Sequence, residues 1–138
     1  MSSFLIYPSV QHYHWGKRGK SSRVATLLDA VDPAKTYAEA WYGDHEKSPS
    51  LLRQDSKNLR EKVIGNPQEI LGSRIIEKFG TRLPFLFKVL SVDAPLSIQV
   101  HPSLQQAKLL HAKDPVNYPD TNHKPEVVVA LSEFEVLS

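Results

Sequence analysis

LSIQVHP, Leu96 to Pro102, alternates Leu96, Ile98 and Val100 with Ser97, Gln99 and His101. This period-two spacing predicts a β-strand with one apolar face and one face carrying a hydroxyl, an amide and an imidazole. Gln99 and His101 lie two residues apart, so in such a strand both side chains point the same way. A second stretch, NHKPEVVVAL from Asn122 to Leu131, sets Glu126 at the start of another strand-like run. A neighbouring strand could bring that carboxylate against the same face. An amide oxygen, an imidazole nitrogen and a carboxylate form a donor set for a divalent metal such as zinc. A solvated polar face would carry the same residues, and a neutral glutamine carbonyl donates less than a carboxylate. Spacing therefore leaves both readings open.

Working outward, the 138 residues suffice for one domain with its own core. A net charge of +2 with interspersed signs argues against a nucleic-acid footprint. With no cysteine there is no disulfide framework and no thiolate metal site, so a metal must take oxygen and nitrogen donors. No apolar run approaches membrane-spanning length, and no basic region followed by an apolar core opens the chain; the expectation is a cytoplasmic protein with no membrane partner. Ten prolines, many at expected element edges, fit a β-rich fold with numerous turns.

In chain order, Phe4 to Tyr7 and Val10 to Trp15 read as short strands broken at Pro8. His12 and His14 share a face of the second and form a rival metal pair, without an accompanying carboxylate motif. Trp15 either packs in the core or walls a sugar site. Ser21 and Ser22 are N-cap candidates for a short helix over VATLLDAV that ends near Asp32-Pro33. Tyr37 to Asp44 reads as a strand on which Glu39 is solvated, ion-paired or turned to a site, and His45 follows in a turn. Residues 58–80 change character to helix. Asn58 with Glu61 resembles a capping box, Pro67 opens a second helix, and Ser73 begins a third that stops at Gly80.

Leu83 to Val92 is the strongest predicted strand, a nearly continuous apolar run interrupted by Lys88. An ammonium there is costly to bury unless it snorkels to water or meets an anion, either an acidic partner or a substrate phosphate. The short turn at Asp93-Ala94-Pro95 suggests a hairpin that sets Lys88 near the metal face. Ser103 with Gln106 forms a capping box for a helix that ends before Pro115, with His111 on its surface. His123 is a possible ligand beside Glu126. Lys124 shares a side with Glu126 in an extended chain, where an ammonium suits proton transfer or a phosphate contact.

Four blocks carry a family resemblance: QHYHWGKRGKSSRVATLL (Gln11 to Leu28), YAEAWYGDHEKSPS (Tyr37 to Ser50), LPFLFKVLSVDAPLSIQVHP (Leu83 to Pro102) and LLHAKDPVNYPDTNHKPEVVVALSEFE (Leu109 to Glu135). In this order and spacing they resemble the type I phosphomannose isomerases, which interconvert mannose 6-phosphate and fructose 6-phosphate. The resemblance implies a mainly β (α+β) fold, a cupin-type antiparallel jelly roll with inserted helices near 58–80 and residues 1–138 as its N-terminal portion. It also implies one zinc ion per chain held by Gln99, His101 and Glu126. Lys124 is the implied catalytic residue, and Trp15, Lys88, Ser97 and Lys124 are the implied contacts to a sugar phosphate that feeds GDP-mannose synthesis. A further ligand histidine and an assisting arginine are expected beyond Ser138. The alternative is a truncated metal-binding jelly-roll fragment or interaction module without turnover.

Overall fold

The computed structural model describes residues 3–135, which fall into two compact units divided between Leu96 and Ser97. In the first unit the chain begins with β1 (Ile6–Tyr7) and β2 (Ser9–Gln11), separated at Pro8, which has no N–H to give a ladder. A 3-10 turn over Gly19–Ser21 leads into α1 (Arg23–Leu27), and then come β3 (Glu39–Tyr42) and β4 (Leu51–Leu52). Three helices follow, α2 (Leu59–Gly65), α3 (Pro67–Ile70) and α4 (Ser73–Phe79), before β5 (Phe87–Leu90). β3 is central in an antiparallel sheet ordered β2-β3-β5, and β1 pairs antiparallel with β4.

Register explains where the core sits. Val10, Ala40 and Val89 lie opposite one another across the three strands, and α1 covers that face with Val24 and Ala25. Ser22 starts α1 by accepting the Ala25 amide at 3.3 Å while donating to the Tyr37 carbonyl at 2.9 Å, so one buried hydroxyl ties the helix to the approach to β3. A second cluster packs Leu52 of β4 against Leu59 and Val63 of α2. Asn58 caps α2 by accepting from Arg60 and Glu61, Pro67 opens α3, and Gly80 ends α4 at φ 78°. Buried Asp44 accepts the Leu83 amide at 3.0 Å and so fixes the chain ahead of β5.

The loop from Tyr13 to Arg18 crosses the end of the sheet. Gly16 bridges Val92, the Lys17 amide donates to Ser91 at 3.1 Å, and the Tyr37 amide donates to the Lys17 carbonyl at 2.9 Å. A Cβ on Gly16 would stand 2.5 Å from the Ala38 Cα. Only the absence of a side chain allows this approach.

The second unit contains α5 (Leu104–Lys113), started by a complete capping box between Ser103 and Gln106. Its C-terminal turn is closed by Asp114, which accepts from the Asn117 amide at 3.1 Å and from its side chain at 2.7 Å. Those hydrogen bonds, the side-chain one first, hold the Asp114 carboxyl below its usual pKa.

Several expectations are corrected. Val10 to Trp15 is strand only as far as Gln11, and Leu83 to Val92 only over Phe87–Leu90, where Phe87 is exposed. β5 pairs with β3 rather than turning back as a hairpin, because Asp93 and Ala94 spend their amides on the Trp15 carbonyl at 2.9 and 3.3 Å. Neither Leu96 to Pro102 nor Glu126 to Leu131 forms a strand. Ile98, Val100, Val127, Val129 and Leu131 are each more than 70% exposed, so no facing layer buries the apolar sets that the alternation marked out. The α+β class with antiparallel pairing stands, but helix exceeds strand in the described residues, against the expectation of a mainly β chain.

Gly16→Ala drives a methyl into backbone rather than into a movable side chain. It is expected to lower stability by about 1–3 kcal/mol, read as a lower midpoint in urea unfolding followed by tryptophan fluorescence. An unchanged midpoint would show that the loop lies off the sheet.

Candidate metal centre

In the second unit, Glu126 gathers two nitrogen partners, an imidazole and an ammonium. Its Oε2 lies 2.9 Å from His101 Nε2, and its Oε1 lies 3.2 Å from Lys124 Nζ. Lys124 reaches its carboxylate because Pro125 keeps the chain extended between them, so residues two apart point the same way. Burial pushes Glu126 up, but the hydrogen bonds from His101 and Lys124 outweigh it and hold the carboxyl below the usual range. It is therefore an anion at neutral pH, available to a cation. Gln99 and Ser97 are exposed and stand outside this hydrogen-bonded trio, as does His123.

The donor chemistry fits zinc in part. Two ligands bound tetrahedrally at about 2.0–2.1 Å stand roughly 3.3 Å apart, close to the separation of the His101 nitrogen and the Glu126 oxygen. Among the described residues no group of three His, Cys, Asp or Glu that could hold a metal ion is present, and Gln99, the third donor expected from the sequence, is exposed.

The first unit holds a different arrangement. Trp41 and Lys88 are directly opposed between β3 and β5, and Glu39 shares their face. Lys88 Nζ sits 3.4 Å from Glu39 Oε2 and 4.7 Å from the centre of the Trp41 ring. The Trp41 indole N–H donates to the same Glu39 oxygen, and the His45 ring meets the Trp41 ring edge-on at 4.7 Å. The anion that the partly buried Lys88 demanded is thus supplied by the chain itself. The sequence signal for this was Glu39 and Trp41 at i and i+2 on one strand. Trp15, half-buried, stacks on Tyr13 with ring centres 5.5 Å apart, and burial, then the nearby Glu39 charge, push the Tyr13 hydroxyl up. Of the rival pair, His14 is exposed and His12 is turned to the backbone, while His111 on α5 is also engaged. His12 engages the Thr36 carbonyl, and His111 donates to the Tyr118 carbonyl at 2.7 Å.

These geometries can be set beside known proteins. Residues 4–138 match the model of the phosphomannose isomerase type I catalytic domain. The chain belongs to that family. It is 47% identical over 140 residues to the mannose-6-phosphate isomerase of Saccharomyces cerevisiae, covering 96% of this chain and 33% of the relative. It is 46% identical over 149 residues to the human mannose-6-phosphate isomerase, covering 99% of this chain and 35% of the relative. Among solved structures, mannose 6-phosphate isomerase from Salmonella typhimurium bound to substrate and to zinc superposes with a TM-score of 0.73 at 36% identity, over 86% of this chain and 32% of that one. A mannose 6-phosphate isomerase bound with zinc and yttrium gives the same TM-score, identity and coverage. The chain thus spans about a third of the length of the curated relatives it matches.

Substitutions in each cluster test it separately. His101→Ala should weaken zinc binding, measured by equilibrium dialysis, by at least about 10-fold, whereas Lys124→Met removes no lone pair that binds the ion and should leave it near the parent value. Glu39→Ala strands the Lys88 ammonium and should cost about 3 kcal/mol, recovered largely in Glu39→Ala with Lys88→Met, with urea unfolding as the measurement.

Proposed function

We propose that this chain contributes the zinc-binding part of an aldose–ketose isomerase that interconverts mannose 6-phosphate and fructose 6-phosphate, on a cupin-type jelly-roll framework in the cytoplasm. The observation that carries the reading is the convergence of His101, Glu126 and Lys124, in a chain that matches the family from residue 4 to residue 138. Gln99, His101 and Glu126 would hold the ion. Bound there, zinc would act as a Lewis acid toward a sugar oxygen on which negative charge develops.

The remaining roles fall to the chain's own groups. Isomerisation moves a proton between C1 and C2 of the sugar and needs a group to carry it. Lys124 Nζ, held 3.2 Å from Glu126, is the candidate for that transfer. Its ammonium also offsets the carboxylate charge, so a proton placed there is exchanged beside an anion rather than in bulk water. Ser97 offers a hydroxyl to the sugar, while Lys88, already paired with Glu39, and Trp15 belong to the first unit and are carried as substrate contacts by the family resemblance alone.

The second reading is a metal-binding module without turnover. The donor set favours it, since among the described residues no group of three His, Cys, Asp or Glu could hold a metal ion.

A coupled isomerase assay with mannose 6-phosphate and added zinc distinguishes the two. The isomerase reading predicts zinc-dependent turnover that disappears in His101→Ala prepared identically. Zinc binding without turnover above that variant would favour the module.

A further inference from the structure

We infer that Ser21 is a phosphorylation site for a serine/threonine kinase that selects basic residues ahead of its acceptor. Lys17, Arg18, Lys20 and Arg23 surround it, and no carboxylate lies between Gly16 and Leu28. Arg18, three residues before the acceptor, supplies the charge pattern by which such kinases choose substrates.

The structure separates the two adjacent serines. Ser22 is fully buried, with its hydroxyl committed to the Ala25 amide and the Tyr37 carbonyl. Ser21 is exposed, and its hydroxyl donates to the Arg18 carbonyl at 2.6 Å. The backbone is extended on both sides, at Arg18 (φ −97°, ψ 147°) and Ser22 (φ −81°, ψ 125°). Presenting Ser21 therefore means opening one 3-10 turn, held by the Ser21 amide to Arg18 and the Ser22 amide to Gly19, each at 3.1 Å. Ser56 also has an arginine three residues earlier, but Asp55 precedes it directly and the Arg53 guanidinium lies over the Tyr7 ring at 6.0 Å.

In the transfer, the Ser21 oxygen forms a bond to the γ-phosphorus of ATP as that phosphorus loses its bond to the β-phosphate oxygen. ADP leaves, and the hydroxyl proton passes to the kinase's base. The product places a charge of about −1.5 to −2 among Arg18, Lys20 and Arg23. It removes the Ser21 hydrogen bond to Arg18 and competes for the Arg18 guanidinium, which otherwise donates to the Ala34 carbonyl at 2.9 Å. Arg18 bridges Thr36, just ahead of β3, so the modification acts on the entry to the sheet that carries Glu39 and Lys88.

The test is incubation of the purified chain with ATP and the catalytic subunit of cyclic-AMP-dependent protein kinase, with the phosphate located by tandem mass spectrometry. One phosphate on Ser21 is expected. It should be abolished in Ser21→Ala, retained in Ser21→Thr and slowed by about tenfold in Arg18→Ala, the loss of one charge-assisted contact. Circular dichroism of each variant confirms that the fold is kept. No incorporation at Ser21, preferential incorporation at Ser56, or a rate unchanged in a folded Arg18→Ala would overturn the inference.

Discussion

The Lys88 ammonium lies on the strand beside β3, and the carboxylate of Glu39 is what makes that position tenable. Both side chains are mostly buried, at 21% and 9% exposure, so neither charge is well hydrated and each is the other's principal compensation. The Trp41 indole completes the arrangement by donating to the same oxygen while its ring face meets the ammonium. The pairing of β3 with β5 and the apolar row of Val10, Ala40 and Val89 on the opposite face are therefore two sides of one register. A slip by one residue would expose the row and bury the charges apart.

Local features of this fold were legible in the sequence. Ser22, Asn58, Pro67, Gly80 and the Ser103–Gln106 box each start or stop a helix where their side chains predict, because capping is settled within a few residues. Pairing was less legible. Lys88 called for an anion, yet nothing near it in sequence identified Glu39, forty-nine positions earlier. Alternation in Leu96 to Val100 marks which face would be apolar in a strand. It does not supply the neighbour that makes a strand, and those side chains remain in solvent.

The site shows the same division. Lys124 and Glu126 were expected together because Pro125 keeps them on one side, and they form an ion pair. His101 and Glu126 were joined by an expected pairing of neighbouring strands and by the family resemblance; neither strand forms, yet the two side chains meet at 2.9 Å. Gln99 was linked to His101 by strand geometry, and without the strand that inference loses its support. Of the three proposed ligands, His101 and Glu126 are the two whose side chains are in contact.

The most direct test of the account is zinc K-edge X-ray absorption on the chain loaded with one equivalent of zinc. With no cysteine in the sequence, the account predicts only oxygen and nitrogen neighbours at about 2.0–2.1 Å, including one imidazole. That imidazole signature should vanish in His101→Ala. Its persistence in that variant would place the ion on one of the other five histidines and contradict the assignment of His101 and Glu126 as the metal centre.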